Sequence, residues 1–373
     1  MPLADARRSS RVAASPAEVR FAERLIGAPG HPLPGAPDAV IVDPSGTRIA
    51  GVYADHLELL EPFSARVIPY QETRPAPHIG DDALRLGDKV LHWDGRPDEQ
   101  LRPAAIFDEP GLEVVSAKQG AIWTVAVQIF RSFGHHELQV HVRTQGKRDP
   151  TESEPRWKLV LRGHGTAAIA EDGRVGVAMQ DGQVLIVGPS DPPSRVPKKH
   201  AELKLDHEPY AISAVAGGFV VLCAEDRDAT GVPGGDWSTR IYRCTEPLQL
   251  RWRTHVVAVD AQGQPRWSTT VPFSVRQPAI EWGDAVVLAG ESVARLEAGR
   301  AVWTRPSEGL SFATATGDGL VVATGRHVDI VGDDGVVRHR FAFDRGTRVT
   351  TPPAIAAQGW IAQGTSDGIY VLR

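Results

Sequence analysis

The chain has 373 residues, 37 of them glycine and 29 proline, with 41 Lys or Arg against 46 Asp or Glu. That length can bury a full core without disulfides or metals, and a Gly plus Pro content of about 18%, against a usual ~12%, argues for many turns and against a helix bundle. A net charge of −5 disfavours a general nucleic-acid binder, and no apolar run approaches the ~18–20 residues of a membrane-spanning helix.

Residues 1–14 are small and polar. No apolar stretch follows the N-terminal arginines, and no Cys is placed for lipidation, so the expected location is the cytoplasm. Ser15-Pro16-Ala17-Glu18 reads as a capping box, with Ser15 as cap and Pro16 at the first helical position. Val19, Ala22, Leu25 and Ile26 then share one face, which predicts a short helix ended by Gly27, Pro29 and Gly30. Residues 1–37 are therefore expected to form an arm with a short helix.

From Asp38 onward, short runs rich in Val, Ile, Ala and Trp alternate with Gly, Asp and Pro turns. Runs at 39–42, 48–53, 57–60, 112–116, 122–128, 138–143, 157–161, 174–179 and 184–187 predict strands. No helical period separates them, which removes parallel α/β folds, since each parallel crossover normally needs a helix. A unit of strand, Asp/Gly turn, strand, turn and strand recurs from Ala168, Ala211, Ala279, Ala313 and Ala354. Weaker copies start at Asp38 and Ala105, and a short degenerate one at His78. Seven or eight units of this size predict an all-β fold, a seven-bladed (eight possible) β-propeller over 38–373 as one domain. A single small twisted sheet cannot cover both of its faces, whereas a ring of stacked sheets can. The chain ends on the strand-like Gly368-IYVLR, which is expected to pair with N-terminal residues and close the ring.

In Val257-AVDAQGQPRW, Ala258, Asp260, Gly263 and Trp267 stand in the order Ala-x-Asp-x-x-Gly-x-x-x-Trp. This resembles the repeat of the PQQ-like (quinoprotein dehydrogenase-like) β-propeller superfamily, in its non-enzymatic branch. Gly299 with Trp303 is a shortened copy, Gly335 with His339 a degenerate one, and Trp157 closes a further candidate. The resemblance implies that each Trp docks between neighbouring blades and that the Gly makes the preceding turn. It covers about a third of the chain, residues 250–373, and implies a fold more than a function. Gly163-His164 and Trp93-Asp94 echo WD-repeat (WD40-like) propellers but do not fall in one repeat.

The quinone enzymes of the superfamily need a calcium-binding set, a catalytic Asp and, in many members, vicinal cysteines. Cys223 and Cys244 are not vicinal, and no such set stands out. Gly364-Thr365-Ser366-Asp367-Gly368 spells a nucleophile elbow, but between two strand-like runs it reads as a hairpin turn. Glu225-Asp226-Arg227-Asp228 resembles half of a calcium loop without the closing bidentate Glu, so it reads as a solvated hairpin. His135, His136 and His141 have strand spacings that keep them from one shared ion. The basic run Arg195–His200 reads as a solvated linker, or more sharply as a dock for an acidic partner. No catalytic residue, metal or cofactor is expected.

The functional reading is a non-catalytic scaffold that binds a protein partner through rim or face loops, with no nucleic acid and no membrane involved. Its candidate contacts are Arg227, Asp228, Asp236 and Trp237 in one polar loop, and Arg131, Phe133 and His135 in another. Exposed Trp and Arg are common anchors of protein interfaces, and loops carry function more often than core strands. The alternative is a quinone- or metal-dependent enzyme, or a small-ligand or carbohydrate site, at the central channel.

Overall fold

Strands such as Val175–Met179 and Ala285–Ala289 are apolar at nearly every position and buried at every one. Alternating side chains point to opposite faces, so a strand buried throughout must be covered on both. The computed structural model shows what covers them. It describes residues 22–24, most strands and some adjoining positions from 36 to 144, then 157–225 without 171 and 189–195, and 252–372 without 318 and 357.

The described strands form seven four-stranded sheets and one three-stranded sheet, every pairing antiparallel. In chain order, sheet 1 starts at Ala39–Val42, sheet 2 at His78–Ile79, sheet 3 at Leu112–Gln119 and sheet 4 at Gly165–Ile169. Sheets 5 to 8 start at Glu208–Val215, Ile280–Trp282, Ser311–Ala315 and Ala354–Ile355. Each repeat copy in the sequence lands on one sheet, and the degenerate copy at His78 is the three-stranded one.

The sheets are meanders whose first strands gather at the centre. The first strands of sheets 3 and 4, 4 and 5, 5 and 6, and 6 and 7 lie against one another, and that of sheet 1 lies against sheet 8. The last strands face outward: Lys198–Lys204 of sheet 4 and Arg300–Pro306 of sheet 6 are mostly exposed. Apolar clusters fill the junctions between sheets. Trp157, Leu138 and Val140 of sheet 3 meet Val175 and Val177 of sheet 4. The opposite face of sheet 4, through Ala178 and Ile186, meets Phe219 and Val221 of sheet 5. Val40, Val42 and Ile49 of sheet 1 pack on Ala362, Ile369 and Val371 of sheet 8, so the first and last sheets in sequence are neighbours in space. The fold is an all-β propeller.

Closure also runs through backbone hydrogen bonds. Ala22–Arg24 pairs antiparallel with the C-terminal strand Gly368–Leu372, in the register Ala22↔Leu372 to Arg24↔Tyr370, and completes sheet 8. This corrects the expected helix at Ala22. The edge of the C-terminal strand offers a row of unpaired N–H and C=O groups, and satisfying them outweighs the local helical pattern. The rest of the expected helix, including Ser15, Val19 and Ile26, lies outside the described residues.

The motif Trp positions join sheet to sheet. Trp267 closes sheet 5 and lies against Gly299 in the last turn of sheet 6; a Cβ on Gly299 would come 3.1 Å from its ring. Trp303 of sheet 6 lies in the same way against Gly335 of sheet 7, at 2.7 Å, and its indole Nε1 donates to Asp333 O at 2.9 Å. Both glycines have φ near +80°, so the turn and the close approach each exclude a side chain. Asp260 starts the turn of sheet 5, its Oδ1 accepting from the backbone N–H of Gln262 and of Gln264, both at 2.8 Å.

Nearer the axis, the buried Gln277 amide bridges sheets 6 and 7. It donates to Ala313 O at 2.7 Å and accepts from Ala313 N at 2.9 Å. Asp329 of sheet 7, 1% exposed, accepts a two-pronged contact from Arg340 (2.7 and 2.8 Å) and a third from Arg305 of sheet 6 (3.2 Å). That carboxylate raises the pKa of Arg340 above its ordinary value.

Candidate interaction surface

In a four-strand meander, the turn between the second and third strands falls on the same face as the crossing to the next sheet. All eight second-to-third connections therefore share one face, called here the connector face. Six are only two or three residues long beside strands of ordinary length, such as Gly290-Glu291 and Ser366-Asp367. Sheets 3 and 5 are built up. Strand Gly218–Glu225 ends and Arg253–Asp260 begins with 27 residues between them. In sheet 3 the two middle strands, Ala121–Ser132 and His135–Thr144, have 12 and 10 residues, the longest among those described. The inner strand reaches only Gln128, and the outer strand only Glu137. Four further pairs, from Ile129↔Leu138 to Ser132↔His135, continue past the inner strand, and the last two, Arg131↔His136 and Ser132↔His135, also pass the outer strand as a two-stranded ribbon. At about 3.4 Å per residue the two middle strands project roughly 13 Å beyond the inner strand.

Arg131 and His135 lie at the tip of this ribbon, with Arg131 opposite His136 and Ser132 opposite His135. Phe133, and Arg227, Asp228, Asp236 and Trp237, lie outside the described residues. The ends of the segment that holds those last four emerge on the same face as the ribbon, one sheet away across sheet 4, whose own turn is only Gln180–Gly182. Two candidate segments 90 or more residues apart in sequence are thus anchored to one side of the ring.

The roots of the long connection are firmly held. On the way out, Glu225 pairs with Arg253 at 3.3 Å. On the way back, the buried Trp252 donates its backbone N–H to Ser274 Oγ (2.8 Å) and accepts from that hydroxyl through its carbonyl (3.1 Å). The Arg276 guanidinium stacks on the Trp252 ring at 4.1 Å, and Tyr210 meets it edge-on at 5.7 Å. The Tyr210 hydroxyl donates to Val275 O at 3.0 Å, and burial pushes its pKa upward. These pinning residues were missed from sequence; the one signal was Trp252, standing where the chain re-enters a strand pattern.

His207 and His255 meet beside these roots, ring centroids 4.6 Å apart, and His255 Nδ1 shares a hydrogen bond with Thr270 Oγ1 at 3.0 Å. Burial and the neighbouring His207 lower the pKa of His255 from 6.5, against Glu225 and Asp206, which raise it. Below pH 6.5 the unfolded chain therefore binds a proton that the folded chain resists. This contribution to stability is present above pH 6.5 and is lost as pH falls below it. Urea midpoints of a His255→Gln variant should fall less steeply between pH 7 and 5.5 than those of the parent; parallel slopes would exclude His255 as the source.

Cys223 is fully buried in sheet 5, and burial pushes its thiol up to about 12. Its thiolate is negligible at pH 8. In a Cys244→Ser background, a thiol reagent should label Cys223 only after denaturation; labelling of the folded chain at the denatured rate would contradict this placement.

The remaining motifs resolve into ordinary structure. Ser366 lies on the hairpin turn between Ile361–Thr365 and Gly368–Leu372, its Oγ accepting from Arg348 N–H at 3.0 Å. Lys198–His200 lie in the outer strand of sheet 4 rather than in a linker, because that sheet needs a fourth strand to cover its third. Near the axis, Glu281 accepts from Ala216 N at 2.7 Å and Glu208 bonds Gln180. Among the described residues, no group of three or more His, Cys, Asp or Glu is placed to hold a metal, and no helix is long and apolar enough to cross a membrane.

The fold and this surface define a β-propeller with one elaborated face. No family model matches the chain. No curated protein matches it either. Among solved structures it is similar to BBS1N in a crystal structure of its complex with ARL6DN soaked with mercury. There the TM-score is 0.48 and the identity 14%, over 89% of this chain and 99% of that one. A second crystal structure of the same complex, soaked with lead, gives TM-score 0.48 and 13% identity over 89% and 98%.

Proposed function

We propose that this chain is a non-catalytic scaffold, an eight-bladed propeller of PQQ-like repeat type built from 38–373 with Ala22–Arg24 as one outer strand, that binds a protein partner on its connector face. The observation that carries this reading is the unequal build of that face. Six connections are only two or three residues long, while the sheet 3 ribbon and the two ends of the 27-residue connection of sheet 5 lie on either side of sheet 4. A long connection held at firm roots suits a binding surface, since rigid scaffolds with elaborated loops recur in recognition. Arg227, Asp228, Asp236 and Trp237 on one side, and Arg131, Phe133 and His135 on the other, are its contacts in this reading. Aromatic and Arg side chains supply most of the binding energy at such surfaces.

The test is affinity purification of the tagged chain from its own host with mass spectrometry. The parent is compared with a variant in which residues 227–237 are replaced by Gly-Ser, and with an Arg131→Ala/His135→Ala variant. The Gly-Ser variant should keep the urea midpoint of the parent, because the Glu225–Arg253 and Trp252–Ser274 roots remain. A protein recovered with the parent and lost from both variants is the expected result. A protein retained by both would move the interface off this face, and recovery of none would overturn the scaffold reading.

A further inference from the structure

We propose that the outer wall of sheets 3 to 7 is a second docking surface, for an acidic, extended segment of a protein partner. The outermost strands there are Trp157–Arg162, Lys198–Lys204, Pro265–Val271, Arg300–Pro306 and Val337–Ala342. Together they carry ten Lys or Arg and one acid, Glu202. That surplus of nine sits in a chain of net charge −5, so all other residues sum to −14. The innermost strands of the same sheets carry the opposite bias, with Glu113, Glu208 and Glu281 against Lys118. Positive charge is thus sorted to the circumference.

Charged edges also guard against sheet-to-sheet aggregation, and that need must be weighed first. Here the edges are already guarded by shape. In sheets 4 to 7 the pairing of the last two strands shifts register once near the start of the outer strand, leaving His200, Arg266, Val302 and Arg338 unpaired at a bulge. A bulge on an edge strand already disrupts further pairing, and six of the ten bases are Arg rather than the Lys that edge protection favours. Protection of the edge therefore leaves the arginines unexplained.

Part of this charge is neutralised within the wall. Asp329 takes Arg305 and Arg340, Asp334 takes Arg338, and Asp181 and Glu202 take Lys204 and Lys199. What remains is spread along the wall. Lys198 and Arg300 have no ion-pair partner among the described residues, and Arg266 donates only to Ala216 O at 3.4 Å. One uncompensated cation on each of sheets 4, 5 and 6 suits a polypeptide with scattered acids. A nucleic-acid duplex carries one charge per ~1.7 Å and would also face the strongly acidic remainder of the molecule. A convex wall with bulged edges would be read through its side chains, without strand addition. The inference shares with the scaffold reading the premise that a protein is bound, and it uses a different surface.

The probe is a fluorescein-labelled poly-glutamate peptide of about 20 residues, titrated with the full chain by anisotropy at ~20 and ~150 mM salt. A Lys198→Ser/Arg266→Ser/Arg300→Ser variant is compared with Arg326→Ser/Arg345→Ser/Arg348→Ser, which removes equal charge from exposed positions of the connector face. The wall variant should bind about tenfold more weakly and the connector-face variant nearly as the parent does. Equal weakening by both, no binding at low salt, or tighter binding of DNA of equal charge would each overturn the proposal. So would self-association of the chain that the wall variant abolishes, since the occupant would then be a second copy. Loss of the purified partner from the connector-face loop variants with an unaltered wall response separates failure of one reading from failure of the other.

Discussion

Replacing Gly335 with Ala is expected to destabilise the protein by about 3 kcal/mol, against about 1 kcal/mol for Gly283→Ala. Both glycines have positive φ, +77° and +59°, so each substitution incurs left-handed backbone strain of roughly 1 kcal/mol. They differ in their surroundings. Nothing lies within 4 Å of a Cβ built on Gly283, whereas one on Gly335 would sit 2.7 Å from the Trp303 ring. Moving that ring disturbs its Nε1 bond to Asp333 and its packing between sheets 6 and 7, which adds about 1–3 kcal/mol. Trp303→Ala should lose a similar amount from the other side of the contact, about 3 kcal/mol. Because the two groups touch, the double variant should lose less than the sum. Urea unfolding of the four proteins is the measurement. Equal losses at Gly335 and Gly283 would mean that Trp303 docking does not hold the sheets together.

Asp329→Ala is expected to rank with these, at about 2–4 kcal/mol. The carboxylate is 1% exposed and receives three N–H donors from two arginines on adjoining sheets. Removing it leaves two guanidinium groups facing each other across a sheet junction. Breaking a buried pair costs about 3–5 kcal/mol; the lower figure here reflects Arg340, whose side chain is half exposed and can turn to water. Arg305 is 25% exposed and keeps its bond to Gly335 O at 3.0 Å. Asp329→Asn preserves shape and one acceptor, so it should lose about half as much. The losses should persist at 1 M salt, because a buried carboxylate is poorly screened. A loss that vanishes in salt would place the charge at the surface.

Arg305 shows how site and fold share residues. It belongs to the basic outer wall by sequence position, yet its charge is largely spent on Asp329. The wall available to a partner is set by which arginines found an internal acid. Spacing in the sequence does not disclose that, because Asp329 and Arg305 come from different sheets.

Legibility from sequence followed the range of the interaction. The strands at 39–42, 112–116, 157–161 and 184–187 were readable because side-chain alternation and turn chemistry act within a few residues. The docking Trp positions were readable through the repeat, since each sheet meets its neighbour in the same way. The hairpin nature of Gly364–Gly368 was readable from the strands on both sides. The segment around Ala22 was misread because its partner, the strand ending at Leu372, lies some 350 residues away. Local capping signals cannot weigh a partner that distant.

The candidate surface divides along the same line. The residue types that suit recognition, Trp237 and the arginines, were visible in the sequence. That the ribbon carrying Arg131 and the ends of the segment carrying Trp237 share a face was not, because it follows from strand parity around the ring. The pinning of Trp252 by Ser274, Arg276 and Tyr210 was invisible for the same reason.

The sequence alone determined the all-β class, the repeat and the turn glycines, because these rest on side-chain period and backbone freedom within single units. The tertiary structure alone decided closure of the ring by Ala22–Arg24, the common face of the two elaborated sheets and the outward sorting of positive charge. Those depend on which strand ends as an edge and which sheets become neighbours, and edges and neighbours exist only once the ring has formed.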